Sequence, residues 1–196
     1  MQILLKDLLK EAETTATTTN SPLKVQIYCD MDGVLVDMEK GFGELAGGIT
    51  PKQYEATHGK GSFWKVIGRK KDFWISLKPM PDAMILWKFI TENFKDPVPV
   101  ILSAGQGSTV VQQKTEWIQK HLGPGIKVMI APSGVKKPEF VLKSESAPGQ
   151  YVTHVLVDDT QKNINAWDNS AAHRIAIHHT SAAESIKALQ PFISTK

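Results

Sequence analysis

Two acidic residues lie two positions apart just after the first apolar run of the sequence. Asp30 and Asp32 follow the run Val25 to Cys29, and Gly33, which lets the chain turn, comes next. On an extended chain, residues two apart share one side and lie roughly 6 to 7 Å from each other, so both carboxylates can face one site. Converging carboxylates repel unless a cation lies between them, or unless one is a nucleophile and the other carries a proton. The pair therefore predicts either metal binding or nucleophilic and acid–base chemistry.

A hydroxyl group ends a second apolar run. Ser103 follows Val100 to Leu102, and the small residues Ala104 and Gly105 come after it. Small residues allow the Ser103 side chain and the next backbone N–H groups to approach an anion closely, although Ser-Ala-Gly is also common in loops. Ser103 and Ala104 are therefore candidate anion-binding residues.

A third apolar run, Val155 to Val157, ends in two adjacent acids. Neighbouring residues on a strand point to opposite faces, so only one of these acids is expected to face the site directly. Asp158 is the candidate metal ligand, and Asp159 is expected either to support it or to cap the helix that starts at Gln161. Thr160 is another candidate for that cap.

The elements that must position these residues are readable from the apolar pattern. The predicted strands are Val25 to Cys29, Val98 to Leu102, Ile126 to Ile130, Thr153 to Val157 and Arg174 to Ile177. The predicted helices are Asp82 to Phe94, Thr109 to Leu122, Gln161 to Asn169 and Ala182 to Leu189. Alternating strands and helices indicate a mostly parallel sheet covered on both faces. Ligands bind beyond the carboxyl ends of such strands, where the acids and Ser103 lie.

The segments outside these elements define the domain organisation. Residues 24–37 and 80–196 are predicted to form the core, whereas residues 38–79 form an insertion over one end of the sheet. Residues 1–23 predict a short amphipathic helix followed by a Thr-rich linker. Residues 51–78 hold seven basic and two acidic side chains, a local charge of +5. This charge indicates either a solvated lysine face or attraction of an anionic substrate.

Composition excludes several classes of protein. The 196 residues suit one domain with a modest insertion, and a net charge of +3 is too small to indicate a nucleic-acid-binding protein. Cys29 is the only cysteine, which excludes an internal disulfide and a multi-cysteine zinc site. It also fits a reducing compartment, and we expect a cytoplasmic location. No apolar run reaches the roughly 20 residues that a membrane-spanning helix needs, so no membrane association is expected.

Together, the three strand ends resemble the motifs of the haloacid dehalogenase superfamily of phosphohydrolases. Asp30-Met31-Asp32-Gly33-Val34 is similar to motif I, Ser103 to motif II and Asp158-Asp159 to motif IV. The segments DMDGVLVD, FWISLKPMPDA, KTEWIQKHLG and LVDDTQKNINAW are most similar to 5'(3')-deoxyribonucleotidases. The resemblance implies an α/β fold with a doubly wound, Rossmann-like parallel sheet of five strands and a small helical cap inserted after the first strand. It also places the Asp30 strand between those of Ser103 and Asp158.

The resemblance implies a mechanism as well. Asp30 would be the nucleophile that forms an aspartyl-phosphate, and Asp32 would protonate the leaving oxygen and later deprotonate water. Mg²⁺ would be held by Asp30, Asp158 and the backbone carbonyl of Asp32, because hard oxygen ligands suit this ion. Ser103 and Ala104 would bind the phosphoryl group, and Asp159 would support the metal ligands without binding the ion itself.

The superfamily also needs a lysine, its motif III, beside the phosphoryl group. Lys137 is the first choice, because the related nucleotidases have a lysine shortly before an aromatic residue, here Phe140. Lys136, Lys143 and Lys114 remain alternatives, and each of the four lysines taken singly fits a surface position.

The expected substrate is a small phosphate ester, most simply a nucleoside monophosphate. The basic insertion, where the related nucleotidases keep aromatic residues against the base, contains Phe63, Trp64, Phe73 and Trp74, although packing between cap and core explains them equally well. Of these four, Phe73 and Trp74 are the predicted contacts of the base. One alternative is a phosphatase acting on a sugar phosphate or a polynucleotide end. Another is a non-catalytic nucleic-acid-binding module, although no stable nucleic-acid complex is expected.

Overall fold

A five-stranded parallel sheet forms the centre of the molecule. The computed structural model describes residues 24–144, 152–171 and 173–193. The strands are β1 Lys24–Cys29, β2 Val100–Gly105, β3 Lys127–Pro132, β4 Val152–Asp158 and β5 Arg174–His178. Their spatial order is β3-β2-β1-β4-β5, and all neighbouring pairs are parallel. The predicted α/β fold is confirmed, including β1 between the strand of Ser103 and that of Asp158.

Helices cover both faces of this sheet. In the described part of the chain they are α1 Met38–Leu45, α2 Pro51–His58, α3 Phe63–Ile67, α4 Phe73–Ser76, α5 Ala83–Asn93, α6 Ser108–Leu122, α7 Lys137–Ser144, α8 Gln161–Asp168 and α9 Ala182–Leu189, with a final 3₁₀ turn at Gln190–Phe192. Alternate residues of β1 face the two layers: Ile27 and Cys29 pack in the larger hydrophobic cluster, and Tyr28 packs with Trp167 in the smaller one. Burial on both faces explains why the strands are apolar almost throughout.

Strand β2 extends further than the sequence pattern indicates. It starts at Val100 rather than Val98, which is largely exposed, and it continues through Gly105. The extension arises because Ser103 and the two residues after it pair with Ile130–Pro132 of β3. Ser103 is therefore the last fully buried residue of a strand, and its backbone is held by the sheet rather than by a loop.

The segment between β1 and α5 contains the four helices α1 to α4. Its two ends are joined, because the Asp37 N–H donates to the Lys78 carbonyl (3.0 Å) and Val36 forms an antiparallel bridge with Pro79. A capping box between Thr50 and Gln53 starts α2. Buried aromatic residues of the segment, among them Phe42 and Phe63, belong to the same hydrophobic cluster as the sheet. The segment is therefore packed on the core through apolar contacts.

Two other predictions concern the chain ends and membranes. The amphipathic helix and the Thr-rich linker predicted over 1–23 lie outside the described residues. Among the residues that the structure describes, no helix is both long and apolar enough to cross a membrane.

Candidate active site

The carboxyl ends of three neighbouring strands bring the candidate residues together. In the sheet, Cys29 is level with Val157 of β4 and with Ile101 of β2. The Asp30 N–H donates to the Val157 carbonyl at 2.9 Å, so Asp30 follows directly on the strand pairing and lies beside Asp158. The polar residues predicted from the sequence therefore share one edge of the sheet.

A tight loop just after β1 holds the two acids Asp30 and Asp32. The Met31 N–H donates to Asp30 Oδ1 (2.7 Å), while the Met31 carbonyl accepts the N–H groups of Leu35 and Val36. Gly33 has a positive φ of 77°, and a β-carbon there would collide with the Asp159 carboxylate. Gly33 is thus needed both for the turn and for the close approach of Asp159.

Lys137 lies between two buried carboxylates. At the first position of α7, its side chain is only 4% exposed, and its Nζ lies 2.8 Å from Asp30 Oδ1 and 2.6 Å from Asp158 Oδ2. Neighbouring Lys136 is exposed instead and pairs with Glu139 at 3.6 Å. The side chain of Lys143 lies outside the described residues. An ammonium group has three N–H donors, so Lys137 keeps one donor that its contacts with described residues do not use.

Asp158 is held from two further directions. Its Oδ1 accepts the Thr160 N–H at 2.9 Å, and Asn163 Nδ2 donates to both of its carboxylate oxygens at 3.1 and 3.0 Å. Thr160 occupies the cap position of α8, but its hydroxyl donates to Asp159 rather than capping the helix. Sequence reasoning missed Asn163. The signal was its place one turn into the helix that follows the paired acids.

Lys114 organises the other half of the site. Its side chain, on α6, is fully buried, and Nζ donates to Asp32 Oδ2, to Ser103 Oγ at 3.0 Å and to the Ala104 carbonyl at 2.9 Å. It also lies 4.1 Å from the centre of the Trp74 ring, an attractive cation–π contact. Because all three N–H donors are in use, Lys114 orders groups around it rather than offering an open anion site.

Asp32 is fixed through one oxygen only. Lys114 binds Oδ2, whereas Oδ1 is buried and has no hydrogen-bond partner among the residues that the structure describes. A buried unpartnered carboxylate oxygen is costly unless it serves a ligand. The arrangement therefore suits a carboxyl group that exchanges a proton through Oδ1.

The candidate site holds more carboxylate groups than ammonium groups. The four carboxylates of Asp30, Asp32, Asp158 and Asp159 face only two ammonium groups, which leaves two negative charges when all are ionised. Burial raises the pKa of Asp30 to about 8, opposed by Lys137 and reinforced by Asp158 and Asp32. Burial and then Asp158 also raise the pKa of Asp159.

A divalent cation fits this imbalance. Asp30, Asp158 and Asp159 each offer a carboxylate oxygen, and these oxygens lie within 4.8 Å of one another. Oxygen donors of this kind suit hard cations, whose two charges would balance the excess. Asp159, expected to support the ligands or to cap the next helix, therefore offers an oxygen in the same cluster as the predicted ligands Asp30 and Asp158.

The cap aromatics differ in their exposure. Phe73 is 2% exposed within the main hydrophobic cluster, and Trp74 is 7% exposed with Lys114 against its ring. Trp64 is 51% exposed, and its ring centre lies 6.4 Å from that of Trp74. Trp64 is thus the aromatic residue of this group that a ligand can reach.

Comparisons with known proteins agree with the fold. No family model matches the chain. It is similar to solved structures of a hydrolase from Streptococcus pneumoniae TIGR4 (TM-score 0.51, 16% identity, 84% of this chain and 97% of that one) and of a HAD-superfamily hydrolase, subfamily IA, from Geobacter sulfurreducens (TM-score 0.50, 12% identity, 85% and 96%). The chain has the haloacid dehalogenase fold. A haloacid dehalogenase-like hydrolase from S. pneumoniae aligns equally well (TM-score 0.50, 13% identity, 84% and 90%).

Sequence similarity extends to one curated protein. A Vibrio phage KVP40 protein named "Putative 5'(3')-deoxyribonucleotidase" is 27% identical over 157 residues, which is 80% of this chain and 76% of the phage protein. The predicted resemblance to haloacid dehalogenase hydrolases, with deoxyribonucleotidases among them, is thus confirmed at the level of sequence similarity and fold.

The buried position of Lys137 gives a prediction about stability. Lys137→Met leaves two buried carboxylates without their shared cation, so we expect the free energy of unfolding to fall by about 3 kcal/mol. Lys136→Met removes only an exposed pair and should change it by less than about 1 kcal/mol. Urea denaturation of the two variants without added metal checks this. Equal losses in both variants would contradict the structural role of Lys137.

Proposed function

We propose that the protein is a Mg²⁺-dependent phosphomonoesterase that acts through an aspartyl-phosphate, most specifically a nucleotidase. The observation that carries the proposal is the pairing of Lys137 with Asp30 and Asp158 at the same sheet edge where Asp32 keeps one unpartnered oxygen. A nucleophile held by a cation beside a separate proton carrier is what transfer of a phosphoryl group requires.

In the first step, a carboxylate oxygen of Asp30 attacks phosphorus in line. The bond from phosphorus to the ester oxygen breaks, and Asp32 donates a proton from Oδ1 to that oxygen. Lys114 keeps the Asp32 side chain in place through Oδ2, and this leaves Oδ1, which has no partner among the described residues, to carry the proton. The products are the free alcohol and phosphorylated Asp30.

In the second step, Asp32 takes a proton from a water molecule that attacks the same phosphorus atom. The bond from phosphorus to Asp30 breaks, which releases inorganic phosphate and restores the Asp30 carboxylate. The unused N–H of Lys137 and the hydroxyl of Ser103 are the groups that we assign to the phosphoryl oxygens. Mg²⁺, bound by Asp30 and Asp158 with the Asp32 carbonyl or Asp159, would neutralise negative charge on the transferring group.

The role of Asp32 predicts a dependence on the leaving group. Asp32→Asn should lower kcat for an alkyl phosphate by roughly 10² to 10⁴-fold, because the alkoxide leaves poorly without a proton. An aryl phosphate such as p-nitrophenyl phosphate needs no proton on its leaving group, so we expect formation of phosphorylated Asp30 to continue, visible as a burst of nitrophenol. Affinity for Mg²⁺, measured by calorimetry, should stay near the wild-type value. Loss of the burst together with loss of Mg²⁺ binding would instead make Asp32 a metal-binding side chain.

Nucleoside monophosphates are the substrates that we favour. The phage protein similar to this chain carries the name of a deoxyribonucleotidase, and residues 51–78 add a local charge of +5 that attracts an anion. The exposed ring of Trp64, near Trp74, offers a face on which a base can stack. We therefore assign contact with the base chiefly to Trp64, and we interpret Trp74 as a buried residue near Trp64. Phe73 contributes only through packing.

Substrate class is tested with a panel of phosphomonoesters. Deoxyribonucleoside 5'- or 3'-monophosphates should exceed sugar phosphates in kcat/KM by at least about tenfold, or ~1.4 kcal/mol, which one stacking contact supplies. Trp64→Ala should remove most of this preference and leave hydrolysis of p-nitrophenyl phosphate nearly unchanged, whereas Lys65→Ala, next to it and also exposed, should keep it. Faster cleavage of sugar phosphates or of 5'-phosphorylated oligonucleotides would preserve the phosphatase and exclude the nucleotidase.

The proposal also includes the division of the chain into a cap and a core. Residues 38–79 are proposed as the cap and residues 24–37 and 80–196 as the core. The cytoplasmic location and the lack of a stable nucleic-acid complex stay predictions. A non-catalytic nucleic-acid-binding module would have no use for the two buried lysine–carboxylate groups, so we do not favour it.

A further inference from the structure

The ring of Trp74, on α4, packs against the buried ammonium group of Lys114. Lys114 Nζ lies 4.1 Å from the ring centre, and Trp74 itself is only 7% exposed. Trp74 therefore contacts Lys114 through its ring and also lies near the exposed Trp64, whose ring centre is 6.4 Å away. If the Trp74 ring moved away, water would reach the ammonium group and weaken the contacts that order Asp32.

The side chain of Gln113 holds the backbone that carries this ring. Its Oε1 accepts the Trp74 N–H at 3.1 Å, and its Nε2 donates to the Lys71 carbonyl at 2.5 Å. Both bonds cross from α6 of the core to the segment just before and within α4. Among side chains of this length, a carboxamide is the group that can both accept one and donate the other.

Gln113 and Lys114 are adjacent on α6, and the same helix makes a third contact one turn later. Trp117 Nε1 donates to the Leu77 carbonyl at 2.8 Å. One face of a core helix thus holds the segment from Lys71 to Leu77 at several points, while the next residue supplies the buried cation. The position of the Trp74 ring and the position of Lys114 are set by the same short piece of helix.

We propose that Gln113 is a positioning residue for the reaction: it seats Trp74 over Lys114 and so keeps Asp32 oriented for proton transfer. The inference rests on the proposed function for its kinetic consequence, but the seating of Trp74 is independent of it. Gln113 touches no reacting atom, and it acts only through the Lys71 and Trp74 backbone.

Three variants in the full chain test this assignment. Gln113→Leu keeps the approximate volume of the side chain and removes both hydrogen bonds. Gln113→Glu keeps the acceptor for Trp74 and loses the donor to Lys71. Gln112→Leu is the matched control, because Gln112 is exposed and its side chain bonds only Glu116 of the same helix, at 2.7 Å.

The first measurement is the indole N–H resonance of Trp74, assigned by its loss in Trp74→Phe. Gln113→Leu should shift this resonance, Gln113→Glu should shift it less, and Gln112→Leu should leave it in place. An unshifted resonance in Gln113→Leu overturns the proposal, whether or not the protein hydrolyses phosphate esters.

The second measurement separates positioning from simple stability. Below the melting temperature of every variant, the rate of the first step, phosphorylation of Asp30, is compared in single-turnover experiments for a nucleoside monophosphate, or for any alkyl phosphate that the wild type hydrolyses, and for p-nitrophenyl phosphate. Gln113→Leu should lower this rate for the alkyl ester by roughly tenfold more than for the aryl ester, because only the alkyl ester needs the Asp32 proton in that step, and Gln113→Glu should recover part of the loss. Equal single-turnover rates in Gln113→Leu and Gln112→Leu would overturn the proposal. Absence of any wild-type turnover with Mg²⁺ would refute the proposed function instead, while the Trp74 resonance still decides the seating by Gln113.

Discussion

The ion pairs that Lys137 makes with Asp30 and Asp158 are the interaction on which the rest of the structure depends. Two carboxylates buried side by side at the ends of β1 and β4 would repel each other strongly in a medium of low dielectric constant. One ammonium group between them makes their burial tolerable and fixes the first turn of α7 against the sheet edge. Burial raises the pKa of Asp30 even with Lys137 beside it, so this compensation is incomplete, and under our proposal a divalent cation would complete the site.

A second lysine, Lys114, builds the other half of the site and joins it to the segment that we propose as the cap. It holds Asp32 and Ser103 through its N–H groups and contacts Trp74 with its charge. The two lysines come from the helices that follow β2 and β3. Under our proposal, Lys137 contacts the nucleophile Asp30 and the metal ligand Asp158, whereas Lys114 contacts the proton carrier Asp32. The nucleophile and the proton carrier are therefore held by different lysines.

The fold could be predicted from the sequence because its signals are local. Apolar runs, turns and helix ends depend on nearby residues, whereas the place of β1 between β2 and β4 was implied by the resemblance to haloacid dehalogenase hydrolases. The convergence of Asp30 and Asp158 follows from that topology alone. For the lysine beside them, Lys137 was the first choice and three other lysines remained alternatives; in the structure Lys137 lies beside Asp30, and Lys114 contacts Asp32.

The contacts that could not be predicted depend on where side chains point, and they join residues that are far apart in the sequence. Lys114 lies on the buried face of α6 with Trp117 and Ile118. A lysine is unusual at such a position, and its place there indicates a partner inside the protein. Its partner Asp32 lies 82 positions away, which no local pattern indicates. Trp64 and Trp74 were equivalent aromatic residues in the sequence, and only packing shows that one is exposed and the other covered.

Trapping of the covalent intermediate tests the central claim most directly. Asp32→Asn protein with Mg²⁺ and excess p-nitrophenyl phosphate should accumulate phosphorylated Asp30, because the leaving group needs no proton while water activation is lost. Borohydride reduces an acyl phosphate to the alcohol, so peptide mass spectrometry should find homoserine at position 30. Homoserine at position 158 or 159 instead, or no homoserine despite a burst of nitrophenol, would contradict the assignment of Asp30 as the nucleophile.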